Sequence, residues 1–205
     1  MKQSRMDALS DGVFAIVMTL LVFEIRLPAL PVLATNADIL NALIFVMPVF
    51  LSYVLSFAVL FTYWRAHHFI ASVYAKNIDL EMTNINAIFL FFVALVPFSS
   101  RLLGDFHTSQ AAILVFGLNI IFIGLSLFWM RHYAHVSSNI ESNDTTALER
   151  RHAYVRILFP VFCALIAMYV AFMNTEIALI LLTVGILFNL LPKSTTIIDR
   201  IFNIK

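Results

Sequence analysis

Long apolar runs separated by short polar breaks dominate the hydrophobic pattern of this chain. About 20 apolar residues in a helix cross the hydrocarbon core of a bilayer, and a window of that length predicts six spans. The polar break at 174–176 alone divides the last two, so the sixth span is short. The pattern predicts one all-α transmembrane domain over residues 1–205. Its spans are about 9–28, 38–64, 83–103, 109–131, 155–174 and 176–192.

Composition supports a polytopic membrane protein. Of 205 residues, 61% are hydrophobic and 12% charged, and the mean hydropathy is +0.93. A soluble domain is typically about half apolar and a quarter charged. The net charge of +1 provides no basic surface for nucleic acid, and the single Cys163 has no disulfide partner within the chain.

The distribution of Lys and Arg predicts the orientation. With a cytoplasmic N-terminus, only Arg26 and Arg101 of the 13 basic residues fall on the outer side. Basic residues are enriched in cytoplasmic segments, so both termini are expected to be cytoplasmic. The longest polar stretch, about 132–152, is then a cytoplasmic loop.

The first span is unusual because it carries polar groups in an apolar setting. Asp11 and Glu24 lie towards its ends and Thr19 lies inside it. Each ionisable group costs roughly 2.5 to 3.5 kcal/mol at the bilayer centre on insertion scales, so something other than lipid is expected to face them.

A helical projection separates these groups. With Asp11 at zero and about 100° per residue, an apolar stripe with one hydroxyl falls between roughly 80° and 180°. The stripe either lines a pore or packs against lipid or a partner helix. Asp11 points elsewhere, either into neighbouring protein or as a cap of the helix start. The stripe comprises Gly12, Ile16, Thr19, Leu20, Phe23 and Leu27.

Other polar residues indicate scaffold roles. Tyr63, Trp64 and Arg65 are typical of the membrane interface. The adjacent His67 and His68 do not share a helix face, and His132 and His135 lack acidic or Cys ligands at metal spacing, so no metal site is predicted. Pro48, Pro97 and Pro160 lie inside predicted spans and indicate kinks.

Several chemical motifs are absent from the sequence. It has no glycine-rich phosphate loop, nucleophile elbow or zinc-protease motif, and no Thr-Val-Gly-Tyr-Gly filter. Neither an enzyme nor a bound cofactor is therefore expected.

Two motifs of the first span resemble the bacterial branch of the endosomal and lysosomal potassium channel family, the transmembrane protein 175 family. They are Arg5-x-x-x-Leu9-Ser10-Asp11-Gly12 and the run 19–25. Leu9 stands where the family signature usually has Phe. Trp64-x-x-His67 and Leu95-x-Pro97-Phe98 match later landmarks in order, so the likeness covers the first 105 residues well.

The resemblance implies a homotetramer in which four copies of helix one line a pore without a carbonyl filter or P-loop. It implies that potassium passes an apolar constriction with Ile16 innermost, Thr19 or Leu20 next and Phe23 outermost. It also implies a polar network at the inner mouth. Its members are Arg5, Ser10, Asp11, Trp64, His67 and possibly Asn86.

At the outer mouth, Glu24 either concentrates cations or pairs with Arg26 or Arg101, and pairing is favoured. The expected function is passive, potassium-preferring conduction across a prokaryotic plasma membrane, with lipid and further copies of the chain as partners. The alternatives are a secondary cation transporter and a membrane enzyme that uses His67, His68 or His132.

Overall fold

A computed structural model describes residues 3–74, 78–137, 147–191 and 194, and every regular element among them is helical. A 3-10 turn, Leu21–Glu24, extends the first helix. The helices are α1 (Gln3–Leu20), α2 (Asn36–Phe45), α3 (Met47–Tyr74), α4 (Leu80–Ala94), α5 (Val96–Asp105), α6 (Gln110–Val136), α7 (Ala147–Val170) and α8 (Thr175–Leu190).

Five helical stretches are long and apolar enough to cross a membrane, which agrees with the predicted class of protein. α8 corresponds to the sixth predicted span, but its 16 residues extend only about 24 Å at roughly 1.5 Å per residue. Its crossing of the membrane stays a prediction. The five stretches are Gln3–Glu24, Met47–Ile70, Leu80–Asp105, Gln110–Val136 and Leu148–Val170.

Prolines divide two of the predicted spans. The span predicted at 38–64 consists of α2 and a longer α3, with a break at Val46, two residues before Pro48. The span predicted at 83–103 breaks at Leu95, two residues before Pro97. A proline has no N–H to donate to the carbonyl four residues earlier, so the helix is interrupted there. Pro160 remains inside α7.

The first span differs from the prediction of 9–28 at both ends. It begins at Gln3 and its last helical residue is Glu24. Ile25 is already extended, with φ −82° and ψ 98°, and Pro28 disfavours helical backbone at Leu27. Leu27 therefore does not belong to the helical stripe, and that part of the projection is wrong.

The predicted loop at 132–152 is shorter than expected. α6 continues to Val136 and α7 begins at Ala147, while residues 138–146 lie outside the described part of the chain. The polar side chains of this stretch did not end the helices because helices extend readily into water beyond the bilayer.

Side-chain caps fix the starts of three helices. Asp79 accepts a hydrogen bond from Met82 N at 2.9 Å, and Asn174 accepts one from Ile177 N at 3.0 Å. Thr35 and Asp38 form a reciprocal capping box at the start of α2. Hydrogen bonds from the Thr35 side chain and backbone hold the pKa of Asp38 below its ordinary value.

α6 is the central helix of the bundle. In its most apolar stretch 61% of residues are buried, against 28% for α1 and for α7. A side chain at Gly117 would begin 2.7 Å from the Met168 side chain, and one at Gly124 would meet Val161 and the Tyr63 hydroxyl. These glycines let α7 approach α6 closely, as small residues do between membrane helices.

Candidate functional site

α1 is attached to the bundle by one face only. Its buried residues recur every three or four positions, which is the spacing of a single helix face, and each is at most 5% exposed. This face packs against α3 and α4. Its members are Met6, Ser10, Phe14, Val17 and Leu21.

The opposite side of α1 is uncovered in the subunit, and we call Leu9, Ile16, Leu20 and Phe23 its open face. Their exposed fractions are 54%, 60%, 44% and 66%. The predicted constriction residues therefore all lie where no part of the described chain covers them. The 3-10 turn, with about 3.0 residues per turn, rotates Phe23 away from its position in a continuous α-helix.

Thr19 is exposed beside the open face. Its hydroxyl donates within the helix, 2.9 Å from the Ala15 carbonyl and 2.8 Å from that of Ile16. The proton is thus directed inward, and the lone pairs of the oxygen remain available to a cation.

A second exposed strip of α1 consists of small residues. They follow one another at intervals of four or three positions, and a side chain added at Gly12 would find no atom within 4 Å. We call this strip the small-residue strip. Its members are Ser4, Ala8, Gly12 and Ala15.

A buried polar network joins α1 to α3 and α4 near the end of the bundle at which α1 begins, here called the inner end. Asn86 Nδ2 donates to Ser10 Oγ at 3.2 Å, and Asn86 Oδ1 lies 2.8 Å from His67 Nε2. An amide oxygen can only accept, so Nε2 carries the proton in this contact. All three residues are at most 2% exposed.

Aromatic rings seal this network. The His67 ring stacks on Phe89 with centroids 5.2 Å apart and planes 5° from parallel. Phe14 of α1 contacts both rings, at 6.5 Å from His67 and 5.8 Å from Phe89. Sequence reasoning missed Phe14 and Phe89, although the position of Phe14 on the Ser10 side of α1 was a usable signal.

Asp11 makes a separate contact with α3. Trp64 Nε1 donates to Asp11 Oδ1 at 2.9 Å. Asp11 lies well inside α1, which begins at Gln3, so the alternative of a helix cap is wrong.

Five of the six residues predicted for the inner network make contacts between helices. Ser10, His67 and Asn86 form one group, and Asp11 and Trp64 form another. Arg5 is exposed, and none of the hydrogen bonds or ion pairs within the described residues of one subunit involves it. Its place in the network stays a prediction.

A salt bridge holds the outer end of α1. Arg101 Nη1 lies 3.4 Å from Glu24 Oε2 and donates to the Glu24 carbonyl at 3.0 Å. Glu24 thus pairs with Arg101, while Arg26 Nε donates to the Phe23 carbonyl at 3.2 Å. Asp105 also pairs with Arg101 and was missed, although its spacing of four residues was a signal.

No group of three or more His, Cys, Asp or Glu within the described ranges could hold a metal ion. Ser10, Asp11 and Glu24 instead contact residues of α3, α4 and α5, and these contacts position α1.

Comparisons with known proteins show which family and which solved structure this chain is similar to. A family model described as the endosomal/lysosomal potassium channel TMEM175 matches residues 5–97. A potassium channel of Chamaesiphon minutus is 33% identical over 135 residues, which are 65% of this chain and 66% of that protein. The crystal structure of a TMEM175 homologue from the same organism, described as a lysosomal potassium-selective channel, superposes with a TM-score of 0.76. It is 25% identical and the match covers 91% of this chain and 95% of that one.

The chain is similar to the TMEM175 family in sequence over residues 5–97 and to a TMEM175 homologue in fold over most of its length. A potassium channel of a Chryseobacterium species is 27% identical over 163 residues, 78% of this chain and 79% of that one. The match to the Chamaesiphon protein spans just under two thirds of that relative's length. The family match begins at Arg5 and ends at Pro97. This segment contains most of the motifs that carry the resemblance in the sequence.

The described helices and the match to a solved TMEM175 homologue confirm the predicted helical membrane fold. The relatives that the chain matches are named potassium channels and not enzymes. The alternative of a His-based membrane enzyme has no support among these relatives.

Proposed function

We propose that this protein is a potassium-preferring channel formed by four copies of the chain around one axis, with the open face of α1 lining the pore. The observation that carries the proposal is the single-sided packing of α1. It is fixed at its inner end by Ser10 and Asp11 and at its outer end by Glu24, and Ile16, Leu20 and Phe23 remain uncovered between them.

A comparison of α1 with α7 supports a protein partner for α1. α7 is equally exposed, but its uncovered side chains are bulky, among them Phe162, Leu165 and Tyr169, as expected for a face against lipid. α1 instead exposes the small-residue strip. Helices in a membrane associate through close van der Waals packing, which small residues permit. The strip is therefore suited to contact with a neighbouring α1.

The open face is suited to gating by dewetting. An ion that enters a narrow ring of four Ile16 side chains loses hydration energy, and the alkyl groups compensate for little of it. Such a ring therefore blocks ions once water leaves it, even if the side chains do not fill the pore. The outward lone pairs of Thr19 would replace part of the hydration shell in an open pore. Small rotations of α1 would change the width of these rings.

The distribution of charge supports an inner end that faces the cytoplasm. Arg65, Arg131 and Arg156 lie towards this end of the bundle, whereas Arg26 and Arg101 lie at the other. Basic residues favour the cytoplasmic side. We therefore place both termini in the cytoplasm, the channel in a prokaryotic plasma membrane, and a short sixth crossing at α8.

Potassium flux into liposomes tests the proposal. Purified protein in liposomes should pass potassium down its gradient with no proton or sodium gradient, faster than it passes sodium. The names of the relatives, potassium channels of Chamaesiphon minutus and a Chryseobacterium species, support this ion preference. Flux that required a second ion gradient would instead favour a secondary transporter.

A further inference from the structure

A cavity of about 290 Å³ opens at the inner end of the bundle between α3, α6 and α7, away from the open face of α1. Each helix contributes one arginine to its lining: Arg65, Arg131 and Arg156. Glu149 provides the carboxylate among the lining residues. No predicted site residue lies in this cavity.

The exposure of the lining residues distinguishes a floor from a mouth. Thr62 and Ile157 on the floor are 3% and 1% exposed, and Arg131 beside them is 2% exposed. Glu149 and Phe69 at the mouth are exposed. The cavity thus leads from the surface of the bundle to a buried guanidinium.

The chain holds Arg131 in position by an aromatic contact. The centre of its guanidinium lies 4.9 Å from the centroid of the Tyr154 ring, at the distance of a cation–π contact. A positive charge is therefore fixed at depth rather than free to extend into solvent.

Charge and shape indicate the ligand. Three guanidinium groups around one small cavity repel one another, and the repulsion is stronger where water is scarce. Among the described residues that line the cavity, three guanidinium groups stand beside one carboxylate, so the lining itself carries more positive than negative charge. The planar fork of arginine matches phosphate oxygens in pairs, which makes arginine the residue best suited to bind phosphate.

The position of the cavity indicates how a phosphate would reach it. Arg65 directly follows Trp64, an aromatic residue of the type found at the membrane interface, so the mouth lies near headgroup depth. Cytoplasmic leaflets are rich in anionic lipids, and basic pockets between membrane helices bind their headgroups.

We propose that this cavity binds an ionised phosphate group, supplied by the headgroup of an anionic phospholipid or by free phosphate. Arg131 forms the base of the site, and Arg65 and Arg156 close on the phosphate from α3 and α7. The ligand joins three helices that each contribute an arginine to the cavity, and it therefore stabilises the inner end of the bundle.

Native mass spectrometry of the intact protein in detergent tests the proposal without measuring ion flux. The probes are dioctanoyl phosphatidylglycerol, dioctanoyl phosphatidylcholine and inorganic phosphate. The wild-type protein should retain phosphatidylglycerol, and the double variant Arg65→Gln/Arg156→Gln should bind it at least tenfold more weakly. Arg150→Gln is the control for Arg156→Gln within the double variant, because it removes one positive charge from α7 outside the cavity and should leave binding unchanged.

Two further results bear on the proposal. Glu149→Gln removes the carboxylate from the mouth of the cavity and should tighten binding of phosphatidylglycerol severalfold. This variant still tests the proposal if the double variant does not fold. Retention of inorganic phosphate as strongly as phosphatidylglycerol would assign the site to the free anion, and preference for the lipid would assign it to the headgroup. Equal weakening by Arg150→Gln, equal retention of phosphatidylcholine, or no retention of either phosphate probe would overturn the proposal.

Discussion

Ile16 lies in the middle of the open face, 60% exposed in the subunit and on the side of α1 away from the bundle. Its exposure agrees with the projection from spacing alone, since residues three and four apart share a helix face whatever surrounds the helix. The sequence could not say whether lipid or other subunits cover that face, because both favour apolar side chains.

Replacement of Ile16 tests its place in the constriction. Ile16→Asn should hydrate the narrowest ring and raise the closed-state potassium leak about tenfold, which corresponds to a barrier lowered by about 1.4 kcal/mol. The measurement is potassium efflux from liposomes. Ile16→Val is the control, since it keeps the ring apolar and should leave the leak low. Unchanged efflux from Ile16→Asn would remove Ile16 from the constriction.

Asn86 connects Ser10 with His67, and its replacement tests the inner network. Asn86→Ala leaves the buried imidazole N–H of His67 without its acceptor, at a cost of about 1 to 3 kcal/mol. It also removes a donor to Ser10 Oγ, although Ser10 keeps its own hydrogen bond to the Met6 carbonyl. A clear fall in melting temperature in detergent is the expected result. Asn84→Ala on the exposed side of α4 should change stability by at most about 0.5 kcal/mol. Equal effects of the two variants would contradict a special role for Asn86.

These contacts show which residue-level features were predictable. Ser10 and Asn86 are 76 positions apart, so no spacing rule joins them, and only the family resemblance placed them together. The partner of Glu24 was left open between Arg26 and Arg101 because the sequence does not show how α5 is placed against α1. In the structure, α5 brings Arg101 to Glu24, and the two form a salt bridge.

At the scale of the element, α1 differs from an ordinary membrane span in having three distinct sides. One side is buried in the bundle, one is the open face, and the third is the small-residue strip. Gly12 occupies the middle of the strip and has no neighbour within 4 Å of an added side chain. Among the described residues of the subunit, none therefore requires a small residue at this position.

Gly12→Leu tests whether α1 packs against another copy of itself. The subunit has room for the new side chain, so folding should be retained, whereas close packing of two α1 helices should be lost and the assembly should dissociate. Size-exclusion chromatography with light scattering gives the number of copies. Ala111→Leu, which also replaces a small residue by leucine at an exposed position of α6, should leave four copies. Four copies in both variants would place the strip outside the subunit interface.

Element boundaries were the part of the fold least accessible from the sequence. Apolar length located the membrane stretches, but Pro48 and Pro97, predicted as kinks, divide their spans into separate helices. The long extension of α3 past Trp64 was missed because a helix continues into the polar region once its apolar part is fixed in the membrane.

For the whole molecule, the similarity to TMEM175 proteins and the geometry of one subunit lead to the same account. The bundle built around α6 positions α1 at its edge, with the apolar face uncovered between two polar attachments. Four copies would cover this face by enclosing a pore, and the whole account depends on water reaching that face in the assembled channel.

Thiol modification of the reconstituted channel tests this claim most directly. In a Cys163→Ala background, which removes the single native thiol, Ile16→Cys places a reactive group on the open face. A membrane-impermeant cationic thiol reagent should block potassium current progressively and faster while the channel conducts. Leu165→Cys on the exposed face of α7 should be insensitive, because lipid covers it. Block at Leu165→Cys with none at Ile16→Cys would contradict a pore lined by α1.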